Sequence, residues 1–368
     1  MKYDFKRPEQ KIQNLAFPLS EQIPSWGFEY MRFRDLHKYT KGESAVCFVI
    51  DDAAQFSHSD LLLNFVGGKS FVEEVFDPFG KGHGHHVAGI IAARDNHKGV
   101  IGGAPRANLY ASQVLGRDGG FWSWIANGII DAVESKVESV NGENRKVLNL
   151  SIGGMGYDSG VAAAIDYAIE EGCIVIVAGG NEGTKINLST VTFPGKIEDV
   201  ITISSIDQIG EASFFTSGGP EIDFCAPGDF VNSTHLNGSY VRLSGSSMAT
   251  PHVSALACLL VGIYKGITHD EVFDFLKEKV GDKKTWSLGY GVPLSYYYIP
   301  SKHDVEDIIA PSDPNPIETP IETPIEAPIE TPIETPSEPE TPVKHPIDLK
   351  EWANAIIEFI IKLWRRFR

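Results

Sequence analysis

Cysteine is scarce in this chain, four in 368 residues (Cys47, Cys173, Cys225 and Cys258), and none stands in a CxxC pair or at metal-ligand spacing. That argues against a disulfide-stapled scaffold and a thiolate metal site, and the four read as buried free thiols. Positive charge is also short: 32 Lys and Arg against 49 Asp and Glu leave a net charge of −17. Nucleic acid is therefore excluded as the main partner, because phosphate binding needs a basic face. No stretch reaches the ~20 continuous apolar residues of a membrane span. The opening MKYDFKRPEQKIQNLAFPLS scatters charge along its length and lacks the apolar run of a secretory signal. The expectation is a cytoplasmic protein.

What is present is an ordinary globular composition, 42% hydrophobic, in a chain long enough for one large domain with appendages. Apolar, β-branched runs bounded by turn residues recur at 45–50, 109–114, 147–150, 173–178 and 200–204. Between them, 124–137 and 161–171 carry helical periodicity. Buried strands alternating with helices predict a three-layer α/β fold, a central and mostly parallel sheet covered on both faces.

After residue 300 the composition changes. The segment 301–345 contains, over 316–335, the repeat PIET, PIET, PIEA, PIET, PIET, and residues 313–340 hold eight acids and no base. Proline every fourth residue forbids helix interiors and ladder pairing, so this is predicted to be a disordered acidic linker, on the order of 100 Å long when stretched. Residues 346–368, PIDLKEWANAIIEFIIKLWRRFR, predict one amphipathic helix. Pro346 and Asp348 suit its start, and Arg365, Arg366 and Arg368 suit its negative end. Glu351, Asn354, Glu358, Lys362 and Arg365 share one narrow polar stripe, and the broad apolar remainder needs a cover. That cover is either the anionic inner face of a membrane, or a partner protein or second copy.

Three separated motifs carry chemistry. Val49-Ile50-Asp51 places an acid at the end of a buried strand. Gly82-His83-Gly84-His85-His86-Val87-Ala88-Gly89 sets a histidine between glycines where a helix begins. Gly245-Ser246-Ser247-Met248-Ala249-Thr250-Pro251 puts a serine at a turn leading into a helix. Amide hydrolysis at neutral pH needs an activated nucleophile: a serine supplies the oxygen, a histidine takes its proton, and a buried carboxylate holds the imidazole. A helix starting at the serine would also aim N–H groups at developing negative charge. The order Asp, His, Ser is the subtilisin order.

On these blocks, residues from about 21 to 300 resemble the subtilase family. The likeness extends to His58-Ser59-Asp60-Leu61, Gly102-Gly103-Ala104-Pro105, Leu150-Ser151-Ile152-Gly153-Gly154, Ala178-Gly179-Gly180-Asn181-Glu182-Gly183, Phe193-Pro194-Gly195, Ala226-Pro227-Gly228 and Gly289-Tyr290-Gly291. It implies a subtilisin-like catalytic domain over 21–300 and serine endopeptidase activity on protein or peptide substrates. The implied triad is Asp51, His83 and Ser247, with Asn181 and the Ser247 N–H binding the oxyanion. The implied peptide clamp has two backbone edges, Gly119, Gly120 and Trp122 on one side and Ser151, Ile152 and Gly153 on the other. Trp122 either lines a pocket upstream of the cut or is a core aromatic. The pocket for the residue before the cut is walled by 151–154 and by Ala178, Gly179 and Gly180, with Glu182 at its rim and Thr192 at its floor. Threonine where the family commonly has glycine predicts a shallow pocket that disfavours large aromatics, with Glu182 tolerating Lys or Arg.

The resemblance also implies structural calcium (Ca2+) at Asp60 and the loop 95–100, with Asn96 as side-chain ligand and Glu21 contributing; the alternative is a solvated polar loop. His85 stands where threonine is usual and His86 matches a structural histidine, so both read as packing or hydrogen-bonding groups ahead of metal ligands. Asp52 replaces a small hydroxyl residue, and a second acid there is expected to shift the titration of its neighbours. Residues 1–20 resemble the short leading segment of intracellular subtilisins and are predicted to act as an inhibitory arm, with Leu15-Ala16-Phe17-Pro18 as the blocking stretch. The enzyme is either a general intracellular protease or a dedicated processing peptidase for a precursor or leader peptide. A pseudoprotease scaffold usually shows a lost triad residue, and none is lost.

Overall fold

The computed structural model describes residues 13–15, 21–73, 77–139, 145–183, 189–280, 284–285 and 287–294. The linker 301–345, the tail helix 346–368 and Ala16-Phe17-Pro18 lie outside the described residues. A short strand β1 (Gln13–Leu15) comes first, then helix α1 (Trp26–Met31). The central sheet contains β2 (Ala45–Asp51), β3 (Phe65–Ser70), β4 (Asn108–Gln113), β5 (Arg145–Leu150), β6 (Ile174–Ala178), β7 (Ile201–Ile206) and β8 (Phe224–Pro227). Its order is β3-β4-β2-β5-β6-β7-β8, and every neighbouring pair is parallel.

The sheet is covered on both faces, which is why β2 reads as an unbroken apolar run rather than an alternating one. Side chains still alternate between the two covers, because successive residues of a strand point opposite ways. Cys47 and Val49 enter one core with α2 (His83–Ala92), α5 (Ser246–Ile263) and α6 (His269–Val280). Val46, Phe48 and Ile50 enter the other with α3 (Trp122–Glu134) and α4 (Ser159–Glu170). Of the 18 residues of α5, only Ser247 and Gly262 are not buried. Its apolar length is that of a core helix, and its one polar opening to the surface is at Ser247.

The chain builds out from β2 through β3 and β4 and then crosses to β5 on its other side. That makes β2 the strand where the winding reverses, the usual place for a site beyond the carboxyl ends of parallel strands. Two elements had no clear sequence signal. Strand β3, FVGGKS, carries two glycines that weaken strand propensity. A second sheet, antiparallel in the order β1-β10-β9, joins β9 (Val231–Thr234) and β10 (Tyr240–Leu243) to the N-terminal strand. Leu15, expected in the inhibitory arm, pairs with Tyr240 in this sheet. All four cysteines are buried and free.

Candidate active site

Strand β2 ends on Asp51 and helix α2 starts on His83, and the two side chains meet. Both Asp51 oxygens lie on His83 Nδ1, at 2.8 and 2.9 Å. Asp51 is 0% exposed and His83 7%, so water does not compete for the pair. A carboxylate at this distance fixes the proton on Nδ1 and leaves Nε2 as the basic nitrogen. Asp52 turns its carboxylate to the main chain of 81–84: Oδ2 accepts from the Lys81 N–H at 2.9 Å, and Oδ1 from the Gly84 N–H at 2.7 Å.

Ser247 is the second residue of helix α5, which packs against α2. Pro251 has no N–H to donate to the carbonyl four residues back, which is that of Ser247. The freed Ser247 carbonyl instead accepts from Ser151 Oγ at 2.9 Å, and Ser247 Oγ donates to the Ser151 carbonyl at 3.1 Å. Ser151 is held in turn by Asn149 Nδ2 at 3.0 Å, and Asn149 Oδ1 accepts from Ser254 Oγ at 2.9 Å. The end of β5 is thus bolted to the helix bearing the serine.

Asn181 is anchored the same way. The N-cap residue Gly245 has no side chain to cap α5, and Asn181 Oδ1 takes the Ser246 N–H at 2.8 Å while Ser246 Oγ accepts from Gly180 N–H at 3.1 Å. With Oδ1 occupied, the Asn181 amide has Nδ2 to offer. A β-carbon on Gly245 would lie 3.6 Å from both Asn181 Nδ2 and Ser247 N. Two donors therefore flank one space that glycine keeps open.

The expected pocket residues also converge. The 151–154 segment pairs with Phe193 through Gly154, N–H to O at 2.9 Å and back at 3.1 Å, and the Thr192 N–H donates to Gly179 O at 2.9 Å. A β-carbon on Gly153 would overlap Thr192 Oγ1, and one on Gly180 would come within 2.9 Å of it. Thr192 thus fills the gap between the 151–154 and 178–180 walls. Its Oγ1 is buried with no hydrogen-bond partner among the described residues. Glu182 is exposed. On the other edge, Gly119 and Gly120 are buried, and the Gly116 N–H donates to Gly119 O at 2.8 Å, closing a turn. Of the two readings of Trp122, core aromatic fits: it is 3% exposed and meets Phe193 edge-on at 5.0 Å. Sequence reasoning passes over Tyr157, which packs on the same Phe193 at 5.3 Å and is 68% exposed; a single aromatic in a glycine-rich loop has no periodic signal.

Near Asp60 the N-terminal arm meets the 94–100 loop. Asp60 accepts from Asn96 Nδ2 at 3.2 Å and from Tyr240 OH at 2.7 Å. The carbonyls of Arg94, Lys98 and Val100 converge on Gln22 Nε2 at 2.8, 3.4 and 3.1 Å. An amide nitrogen has two hydrogens, so three carbonyls are more than it can satisfy. Among the described residues no group of three or more His, Cys, Asp or Glu side chains could hold a metal ion. Glu21 is exposed, and its backbone carbonyl accepts from the Gly99 N–H at 3.1 Å. Gln22 is the side chain that enters the loop. His97 and Lys98, unfavourable beside a cation, are both exposed to water.

His85 and His86, on the same helix as His83, make packing and hydrogen-bonding contacts. His85 packs edge-on to Phe56 at 5.3 Å, its Nε2 accepts from the Ser57 N–H at 3.3 Å, and burial pushes its pKa down to about 4. His86 Nε2 lies 3.1 and 3.2 Å from the Val231 and Val241 carbonyls, and burial pushes it down to about 3. Both are neutral at pH 7.

An acid–imidazole pair beyond a parallel sheet, with a serine at the start of the adjacent helix, defines the class of nucleophilic hydrolases. Residues 43–292 match the model of the Subtilase family. The chain is 37% identical to subtilisin E of Bacillus subtilis (strain 168) over 269 residues, 72% of this chain and 68% of that protein. It is 37% identical to subtilisin of Bacillus pumilus over 263 residues, 70% of this chain and 91% of that protein. Against thermitase of Thermoactinomyces vulgaris the identity is 38% over 223 residues, 60% and 76% of the two chains. This chain belongs to the subtilase family and is a serine endopeptidase of the subtilisin type.

Proposed function

We propose that Asp51, His83 and Ser247 form the Ser-His-Asp triad of this endopeptidase, and that Asn181 Nδ2 and the Ser247 N–H receive the oxyanion. The observation that carries the reading is the buried Asp51–His83 pair, with both carboxylate oxygens on Nδ1. Ser247 Oγ attacks the scissile carbonyl as its proton passes to His83 Nε2. His83 then returns the proton to the leaving amine, and the buried Asp51 stabilises the imidazolium between the two steps. Because Oδ1 of Asn181 is pinned by Ser246, the donor is aimed before charge develops; such a donor contributes ~10²–10³ in turnover in subtilisin itself. Covalent labelling by a serine-directed fluorophosphonate tests the assignment, and equal labelling of wild type and Ser247→Ala overturns it.

A dedicated processing role is favoured over general proteolysis by Thr192, which fills the space between Gly153 and Gly180. Peptides with Ala or Leu before the cut are expected to outrun those with Phe. Thr192→Gly is expected to raise kcat/KM for Phe relative to Ala by ~10-fold or more. A strong Phe preference in the wild-type enzyme sinks this reading.

The 94–100 loop is proposed to bind calcium. The ligands would be Asp60, the loop carbonyls of Arg94, Lys98 and Val100, and the amides of Gln22 and Asn96 turned to present oxygen, the hard ligand set that this ion takes. When bound it would supply stability rather than chemistry. At roughly a hundredfold excess over Kd, calcium adds about 2.7 kcal/mol, which raises Tm by ~5–10 °C for a domain of this size. A thermal melt with and without chelator reads this, and Gln22→Ala should abolish most of the difference. A Tm indifferent to calcium in the wild type refutes the site.

The tail, residues 346–368, is proposed to hold the enzyme at an anionic membrane surface, supported by Trp364, Phe367 and three arginines in one amphipathic segment. Intact protein is expected to float with anionic liposomes, and protein ending at Lys344 to stay below. Equal flotation of the two refutes the anchor.

A further inference from the structure

Asp52 is not accounted for by the triad. It is an acid, 1% exposed, directly following the acid that holds His83. Burying a second carboxylate there is costly unless its charge is answered. Main-chain N–H groups answer it: Oδ1 accepts from Gly84 at 2.7 Å, and Oδ2 from Lys81 at 2.9 Å and His83 at 3.4 Å. These groups lie at the start of α2, where the first N–H groups lack partners within the helix and the dipole is positive.

A helix normally takes such a cap from its own N-cap side chain. Here that residue is Gly82, with φ 89° and no side chain to give. A β-carbon at 82 would overlap His235 Nε2, so the position is closed to a capping residue and the cap comes from the end of the neighbouring strand. Asp52 is itself fixed. Its N–H donates to Asp51 Oδ1 at 2.7 Å, and its carbonyl accepts from Gln113 Nε2 at 2.9 Å. One residue thus ties the Asp51 carboxylate, through its backbone, to the His83 main chain, through its side chain.

We infer that Asp52 is a positioning residue for peptide hydrolysis: it supplies from β2 the cap of α2, sets the His83 main chain against the Asp51 carboxylate, and adds negative charge beside the imidazole. This rests on the triad reading above. Among the described residues, the groups facing His83 include Asp51 at its Nδ1, Asp52 at its main-chain N–H, His86 on its own helix and His235 from the loop after β9. Asp52 also faces His85, which Asp77 faces as well, and His235. The Lys81 ammonium is engaged by the Arg117 carbonyl. Burial lowers the pKa of His85, His86 and His235 and so favours their neutral forms.

The test compares wild type, Asp52→Asn and Asp52→Ala, each with active sites counted by fluorophosphonate titration. Asparagine keeps the shape and one acceptor oxygen but loses the charge; alanine loses everything. Plateau kcat per titrated site is expected to fall roughly ten- to a hundredfold in Asp52→Ala and less in Asp52→Asn, with KM little changed. The acid limb of kcat/KM is expected to move to lower pH in both variants, since each removes an anion that favours imidazolium. A purely structural role would lower Tm and the count of labelled sites while kcat per site and the acid limb stay put, and that result overturns the inference. If Asp52→Ala does not fold, an unmoved acid limb in Asp52→Asn overturns it alone. Wild-type protein that takes no label refutes the triad reading, and the positioning role falls with it; labelled wild type with an unmoved Asp52→Asn profile refutes only the positioning role.

Discussion

Replacing Ser247 with alanine is expected to lower kcat by on the order of 10⁶-fold, the scale of that loss in subtilisin itself, while peptide KM changes little. The hydroxyl sits where nothing can substitute for it. Ser247 is one of two residues of α5 open to the surface, and its carbonyl and hydroxyl both engage Ser151. Removing Oγ leaves the Ser151 Oγ bond to the Ser247 carbonyl untouched, so the helix start and the Asn181 anchor should survive. Residual catalysis then measures what the oxyanion donors and binding contribute without a nucleophile. Turnover of a fluorogenic peptide, with the melting temperature as control for folding, is the measurement. A loss below about a hundredfold in a folded variant would remove Ser247 from the mechanism.

Asp51→Asn is expected to cost about 10⁴-fold in kcat, as the equivalent change does in a Ser-His-Asp protease of unrelated fold. Asp51 Oδ1 accepts from both His83 Nδ1 at 2.8 Å and the Asp52 N–H at 2.7 Å, and Oδ2 lies 2.9 Å from the same Nδ1. Asparagine can offer one oxygen. If the Asp52 N–H keeps it, the amide nitrogen faces Nδ1 and drives the imidazole to the tautomer that carries its proton on Nε2. That nitrogen can then no longer accept the Ser247 proton. With Asp51 0% exposed, no water can enter to rescue the geometry. A fall of less than about a hundredfold across pH 6 to 9 would mean that Asp51 does not set the tautomer.

Much of this was legible because the signals are local. The run Ala45 to Ile50 reads as a buried strand from its own residues, and an acid at its end is visible without a partner. Glycines flanking His83 and the turn before Ser247 mark helix starts in the same way. Glu21 and Gln22 show where local reading stops. They are adjacent and both polar, and only the bridge between Gln22 and Gly99 decides which side chain turns into the 94–100 loop. The second sheet was hidden for a related reason: VNST and YVRL are four-residue strands, too short for alternation to stand out.

The sequence by itself determined the three-layer scaffold, because apolar periodicity and turn residues act over a few neighbours, and the resemblance of its motif blocks pointed to the family. Tertiary structure alone decided what the ambiguous residues do. Trp122 became core by meeting Phe193, and Thr192 came to lie between two glycines from different loops. Asp52 became a helix cap through N–H groups about thirty residues away along the chain. A side chain's role in each case follows from which backbone is folded against it, and that is fixed by long-range packing, not by its sequence neighbours.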